Sequence, residues 1–296
     1  VTVHSDIEPV LNNVRISIVS ICSRPDFHAA QAIQVAKAGK HIILEKPIGL
    51  SLQDCLELEG IIQNAGVKVY VCFECRFSDQ FVKTKYLLDH DIGDVTYCSV
   101  SYCHGIGPDN PQFPWNTKIA MGGSSLLSAG CHALDGVLFF MGGEVEEVYS
   151  YSSTISASQY QAYEYAPHQI TLLKFTDGRM GHTLSSIACT QPYDFPTYII
   201  GTGGTIKDDL YFSAGMSEKV WQSAEMKLLK SGKTQDHPYR KKFATFMEAI
   251  KASVDMPRTN FAEALKTHRV LFAADLSAKQ GRPIRLSELD ARLFRV

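Results

Sequence analysis

The chain has little net charge of either sign: −2 formally, with basic and acidic residues mixed along its length. A nucleic-acid or anionic-membrane partner calls for a basic face, so this balance argues against both. No apolar run approaches the roughly 18 residues that a spanning helix needs, and no signal-peptide pattern stands at the start. The eight cysteines are scattered, several inside apolar runs, and are not spaced as a disulfide framework. That usage fits reduced thiols and a cytoplasmic location. Repeats, low-complexity tracts and flexible linkers are also missing. What remains is a chain of 296 residues, 45% hydrophobic, expected to form two tightly packed parts with ordinary cores.

What is present begins with an alternation. "ISIVSIC" (16–22) is a continuous β-branched run, the mark of a strand buried on both faces. "DFHAAQAIQVAKAG" (26–39) reads as a helix with Asp26 as N-cap and Gly39 at its end. "HIILEKP" (41–47) is a second strand, "SLQDCLELEGIIQNAG" (51–66) a second helix capped by Ser51, and "KVYVCFECRF" (68–77) a third strand. Such alternation predicts right-handed crossovers and a parallel α/β sheet over residues 1–77. The opening "VTVHSDIEPVLNNV" reads as a short strand and one helical turn.

Residues 78–296 change character. A helix near "QFVKTKYLLDHDIGD", a strand "VTYCSVSYCHG" and an irregular segment lead to a helix over "SSLLSAGCHALDGVLFFMGG". Strand patterns follow: "EVEEVYSYSS", a hairpin turning at Asp177-Gly178, and another hairpin over "PTYIIGTGGTIKD". Two helices close the chain, the last a candidate to pack back on the first part. Grouped strands with helices elsewhere predict an α+β domain with a large open, mainly antiparallel sheet.

Two short stretches carry the candidate chemistry. Glu45-Lys46-Pro47 closes the second apolar strand, at the strand end where open α/β sheets bind ligands. A strand leaving the core explains it equally well. Ser128, His132 and Asp135 stand at i, i+4 and i+7 of a helix, on one face. They read either as a proton-transfer group or as a buried histidine satisfied by Asp135.

With "EKP" at 45–47, "GxHxxD" at 130–135, "ICSRPDFHAAQAIQVAKAGKHIILEKPIGLS" and "VCFECRF", the chain resembles the Gfo/Idh/MocA oxidoreductases, a family that includes glucose–fructose oxidoreductase and inositol dehydrogenase. The resemblance runs to "FAEALKTHRVLFAADLSAKQGRPIRL" near the end. It implies an N-terminal Rossmann domain binding NAD or NADP and a C-terminal open-sheet domain for substrate and for homo-oligomer contacts, as a dimer or tetramer. The implied reaction is hydride transfer between nicotinamide and a secondary alcohol of a sugar, glycoside or cyclitol. By that resemblance Lys46 is the lysine beside nicotinamide and substrate, Pro47 the proline that aims it, and His132 the acid/base. Ser23, Arg24, Pro25, His28, Glu45 and Glu74 fall at cofactor positions. A base for the hydroxyl proton is worth about 10²–10⁴-fold in rate, and Lys46 would steady the developing alkoxide. Two other readings stay open: an NAD-dependent glycosidase that oxidises its sugar transiently, and a nucleotide-sensing subunit without turnover.

The sequence departs from the family twice. Many members carry an aspartate four residues before the histidine, where this chain has Ser128. Asp135 or another group must then orient His132, or Lys46 must take more of the proton work. The glycine-rich pyrophosphate turn and its acidic ribose partner are also missing, since "GTGG" (201–204) reads as a hairpin turn. The expectation is that roughly 60 further N-terminal residues, about one βαβ unit, belong to the protein. Cys72 and Cys75, read on one strand, would face opposite ways, which argues against a metal site. Trp115, His104, Tyr193, His182, His237 and Tyr239 are further substrate-pocket candidates, and Arg76 is either an interdomain ion pair or a ligand group.

Overall fold

The computed structural model describes residues 2–230 and 238–289. In chain order they form α1 (Glu8–Leu11), β1 (Ile18–Ile21), α2 (Pro25–Lys37), β2 (His41–Leu44), α3 (Leu52–Ala65), β3 (Val69–Val71) and α4 (Asp79–Leu87). Next come β4 (Val95–Cys103), α5 (Phe113–Asn116), α6 (Ile119–Gly122), α7 (Cys131–Met141), β5 (Val145–Ser153), β6 (His168–Phe175) and β7 (Met180–Ser186). The remainder is β8 (Thr197–Gly201), β9 (Gly204–Lys207), β10 (Leu210–Ser213), β11 (Gln222–Ser223), α8 (Tyr239–Lys251), α9 (Phe261–Gln280) and β12 (Ile284–Arg285). Two compact units result, Val1–Phe73 with Arg240–His268, and Glu74–Tyr239 with Arg269–Val296.

The first unit holds a three-stranded parallel sheet in the order β1-β2-β3, with Ile18 opposite His41 and Ile42 opposite Val69. The crossover helices bury small residues, among them Ala32, Val35 and Ala36 of α2, fully against it. Ser51 caps α3 by accepting the Asp54 N–H at 3.1 Å, and Gly66 ends it at φ 63°, the left-handed conformation that a side chain would strain. Asp26 is not the cap of α2. Pro25 takes the first helical position, Arg24 the N-cap without a side-chain bond, and Asp26 pairs with Arg24 at 3.0 Å. Among the described residues β1 has one strand neighbour, and of its own residues Ile21 alone is buried, so the expected cover on both faces is not found there. Among the described opening residues the one element is the turn α1, where a short strand was also expected.

β3 is also shorter than its sequence pattern. It stops at Val71, and the chain tightens into a 3₁₀ turn over Glu74–Phe77 whose four residues are all buried. Cys72 and Cys75 therefore do not share a strand. The outer edge of β3 is covered: Val71 donates its N–H to Thr259 O at 3.1 Å, and Tyr70 bridges Asn260. A covered edge cannot template further pairing.

The second unit is a nine-stranded sheet, ordered β11-β10-β9-β8-β4-β7-β6-β5-β12, antiparallel throughout except for the parallel pair β4–β7. Period-two patterning decides its faces. On β6, Gln169, Thr171, Leu173 and Phe175 are buried, while Ile170 and Leu172 point outward. Gly178 (φ 87°) makes the β6–β7 turn, as the Asp-Gly pair predicted. The buried face is covered by α7, which lies close because the sheet contributes Gly181, where an added Cβ would stand 2.9 Å from Val137 Cγ1. A π-helical turn over Leu126–Gly130 leads into α7. The stretch Ile119–Met141 is long and apolar enough to cross a membrane, contrary to the sequence expectation. Because 78% of its apolar window is buried inside the structure, it reads as a core helix.

Candidate functional site

In the first unit the candidate residues gather at the carboxyl ends of β1 and β2. β2 ends at Leu44, fully buried, and the next two residues, Glu45 and Lys46, emerge half-buried before Pro47. The Lys46–Pro47 peptide is cis. Two buried histidines hold this turn. His28, from α2, places Nδ1 2.6 Å from Pro47 O and Nε2 2.9 Å from Ser23 O, so it ties the ends of both strands together. His268 donates from Nδ1 to Ala264 O at 2.7 Å and accepts the Ile48 N–H on Nε2 at 2.8 Å. Burial pushes the His268 imidazole down to about 4, which keeps Nε2 an acceptor at neutral pH.

The residues expected at the cofactor thus divide by what already engages them. The side chain of His28 is committed to main-chain carbonyls and acts as a brace. Ser23 donates its hydroxyl to Gln31 Oε1 at 2.7 Å, and Arg24 lies over Phe27 and pairs with Asp26. Pro25 starts α2. Partly exposed Ser23, Arg24, Glu45 and Lys46 above a buried sheet end suit the nicotinamide and ribose portion of a dinucleotide. The "GTGG" segment joins β8 to β9 as a hairpin, so no pyrophosphate contact is assigned to it. When bound, a nicotinamide supplies or accepts the hydride.

In the second unit His132 lies on α7, nearly buried, with Nε2 3.7 Å from Glu74 Oε1. The Tyr102 ring stacks on it at 6.5 Å and 23°. Tyr102 places its hydroxyl 3.0 Å from His104 Nδ1, and Tyr193 stands edge-on to both rings. Burial, chiefly, raises the Tyr102 and Tyr193 hydroxyls and lowers the His104 imidazole. All three are therefore neutral hydrogen-bonding groups at pH 7. The cluster joins two imidazoles, a carboxylate and two phenols in one largely buried place, a set able to accept and pass on a proton.

Other expectations are redirected. Asp135 does not orient His132, because Arg76 takes both its oxygens, at 2.8 and 2.7 Å, in a buried bidentate pair. Arg76 is accordingly paired inside its own unit. Ser128 falls on the π-helical turn, beside the Tyr165 hydroxyl. Trp115 is half-buried on α5 and takes no part in the described ring contacts of the cluster. His182 faces Tyr97, its Nδ1 2.7 Å from the phenol oxygen. His237 lies outside the described residues. Sequence reasoning missed His268, 220 positions from the turn it holds, and missed Glu74 as a neighbour of His132. No local signal marks His268. For Glu74, the signal was an acidic residue inside an otherwise apolar strand end.

Residues 1–73 match the family profile described as the oxidoreductase family with an NAD-binding Rossmann fold, and residues 81–207 match the GFO/IDH/MocA C-terminal domain. A 2,7-anhydro-N-acetylneuraminate hydratase of Mediterraneibacter gnavus is 30% identical over 70% of this chain and 55% of its own. The myo-inositol 2-dehydrogenase of Thermotoga maritima is 26% identical over 70% of this chain and 60% of its own. The chain thus spans less than two thirds of either relative in these alignments. Among solved structures, a levoglucosan dehydrogenase in complex with NADH and levoglucosan has the same fold, with a TM-score of 0.80 at 20% identity over 95% of this chain and 83% of that one. With two family domains matched in order along it, the chain belongs to the Gfo/Idh/MocA family of oxidoreductases, whose first domain is an NAD-binding Rossmann fold.

Proposed function

We propose that this oxidoreductase transfers a hydride between NAD or NADP and a secondary alcohol of a sugar, glycoside or cyclitol. The observation that carries the reading is His132: a buried imidazole 3.7 Å from a carboxylate and stacked on a tyrosine, in the unit that matches the family's C-terminal domain. A carbinol that loses hydride must also lose its hydroxyl proton, and His132 is the group assigned to take it. Lys46, presented at the end of β2 beside Pro47, is assigned to the nicotinamide side. The inositol and levoglucosan dehydrogenases among the similar proteins support the substrate class.

Anaerobic stopped-flow absorbance at 340 nm tests this, with the intact protein, either nucleotide and a panel of inositols, anhydro-sugars and glycosides. One substrate class should give single-turnover reduction. His132→Ala and Lys46→Ala should each slow that step about 10²–10⁴-fold. No reduction with any member, or variants within a few-fold of wild type, defeats the proposal. The relative named a hydratase favours a second reading, in which the sugar is oxidised only transiently and product appears with no net reduced nucleotide. Product analysis in the same experiment separates the two.

The reading extends to assembly. The outward face of the large sheet carries Tyr151, Ile170, Leu172, Met180, Tyr198 and Ile200, all exposed, an apolar patch of the kind that marks an interface. We assign it to pairing between copies of this chain. Light scattering should show a dimer or tetramer that Leu172→Lys with Ile170→Glu converts to monomer, and a wild-type monomer would refute the assignment.

A further inference from the structure

We propose that Glu74 is the positioning carboxylate of His132, taking over from the aspartate that this chain replaces with Ser128. The inference rests on the reading of His132 as the proton acceptor, and it changes Glu74 from a cofactor contact into part of the proton-handling pair.

Three observations converge on it. Glu74 and His132 have side chains only 8% exposed, with Oε1 and Nε2 3.7 Å apart. At that separation the two groups stand beyond a made hydrogen bond, and they become an ion pair once the imidazole takes a proton. Such contacts in unliganded sites commonly tighten when the reacting group binds. The second observation is exclusion. Asp135, the carboxylate that sequence spacing offered, is fully engaged by Arg76 through two short hydrogen bonds, so its charge is already neutralised. Ser128 carries no charge and sits beside Tyr165. The third is that Glu74 is placed by a rigid element: the 3₁₀ turn Glu74–Phe77 is wholly buried and followed by the Ser78 cap of α4.

Several titratable groups of this unit stand around the pair. Tyr102 stacks on the imidazole, and burial, with Cys75 and Glu74 nearby, raises the Tyr102 and Tyr193 hydroxyls. Cys131 acts on Tyr102 from α7. Both phenols stay protonated at neutral pH, as argued above. Arg76 is offset by Asp135. That leaves Glu74 as the carboxyl group nearest the imidazole, in buried surroundings where a charge acts with little screening. An anion beside an imidazole stabilises the imidazolium that forms when the hydroxyl proton arrives, and selects the orientation in which that proton is accepted.

Histidine-labelled NMR of the intact protein tests this without turnover. The ring resonances of His132 are assigned by their loss in His132→Asn and followed against pH. In Glu74→Gln the His132 titration midpoint should fall by about one unit, while Glu74→Asp should keep most of the wild-type midpoint. A His132 midpoint that stays put in Glu74→Gln, with the fold intact by circular dichroism, overturns the assignment. If Glu74→Gln fails to fold, Glu74→Asp decides: its shorter side chain must move the midpoint by a few tenths of a unit or more, and an unmoved midpoint counts against the pair. The dehydrogenase reading fails separately, in the absence of hydride transfer. A shift without turnover would keep the pair and remove the reaction, and turnover without a shift would do the reverse.

Discussion

The two units fix their candidate groups by different means. Around Lys46 the fixing runs through main-chain atoms: His28 spans Pro47 O and Ser23 O, and His268 takes the Ile48 N–H. Around His132 three contacts join side chain to side chain: Glu74 to His132, Arg76 to Asp135, Tyr102 to His104. Main-chain bonds set the path of a turn whatever side chains it carries, so they build a platform. Side-chain pairs set charge and orientation and are lost one residue at a time.

The comparison breaks most visibly at Arg76. Its guanidinium and the Asp135 carboxylate are almost fully buried, with side-chain exposures of 4% and 1%. Removing one partner strands the other charge in a low-dielectric interior. Arg76→Ala should lower the unfolding free energy by about 3–5 kcal/mol, whereas Arg76→Met with Asp135→Leu should lose much less, because no charge is left behind. Urea unfolding followed by circular dichroism measures both. Equal losses in the two variants would mean that the pair contributes packing alone, and the distinction drawn between the units would weaken.

What the sequence revealed follows the range of the interactions involved. Most local signals held: Ser51 as a cap, Gly39 and Gly66 at helix ends, Asp177-Gly178 in a hairpin, and alternation along β6, while Asp26 lost the cap of α2 to Arg24. Each depends on a few neighbouring residues and on backbone sterics. The reading failed where tertiary competition decides. "KVYVCFECRF" has the composition of a longer strand, yet it folds into a 3₁₀ turn after Val71. Asp135 shares a helix face with His132 in the sequence, but Arg76, 59 positions away, captures it. No periodicity could announce His268 at the Ile48 amide. The motif "EKP" located the turn correctly and said nothing of what holds it.

The smaller and more delicate test sets His268, in the first unit, against Asp275, in the second. Burial lowers His268 from 6.5 to about 4 and raises Asp275 from 3.8 to about 6. Asp275 Oδ2 accepts from Ser124 at 2.7 Å, while Gln169 favours the charged form from beyond hydrogen-bond distance. The signs are opposite. From about pH 6.5 down to 4 the unfolded chain binds a proton that native His268 refuses, so this term of stability falls with the pH. From about pH 6 down to 3.8 native Asp275 binds a proton that the unfolded chain does not, so its term rises as the pH falls. At about 1.4 kcal/mol per unit, each is worth on the order of 3 kcal/mol across its window, and in the wild type the two largely cancel. His268→Gln keeps an acceptor for the Ile48 amide without a titrating group. Relative to wild type it should gain roughly 2 kcal/mol of stability between pH 7 and 4.5, and Asp275→Asn should lose a similar amount over the same range. Urea midpoints taken at half-unit steps of pH read out both differences. If both variants run parallel to the wild-type profile, neither burial perturbs its group, and the acceptor role of His268 at the Ile48 amide loses its electrostatic basis.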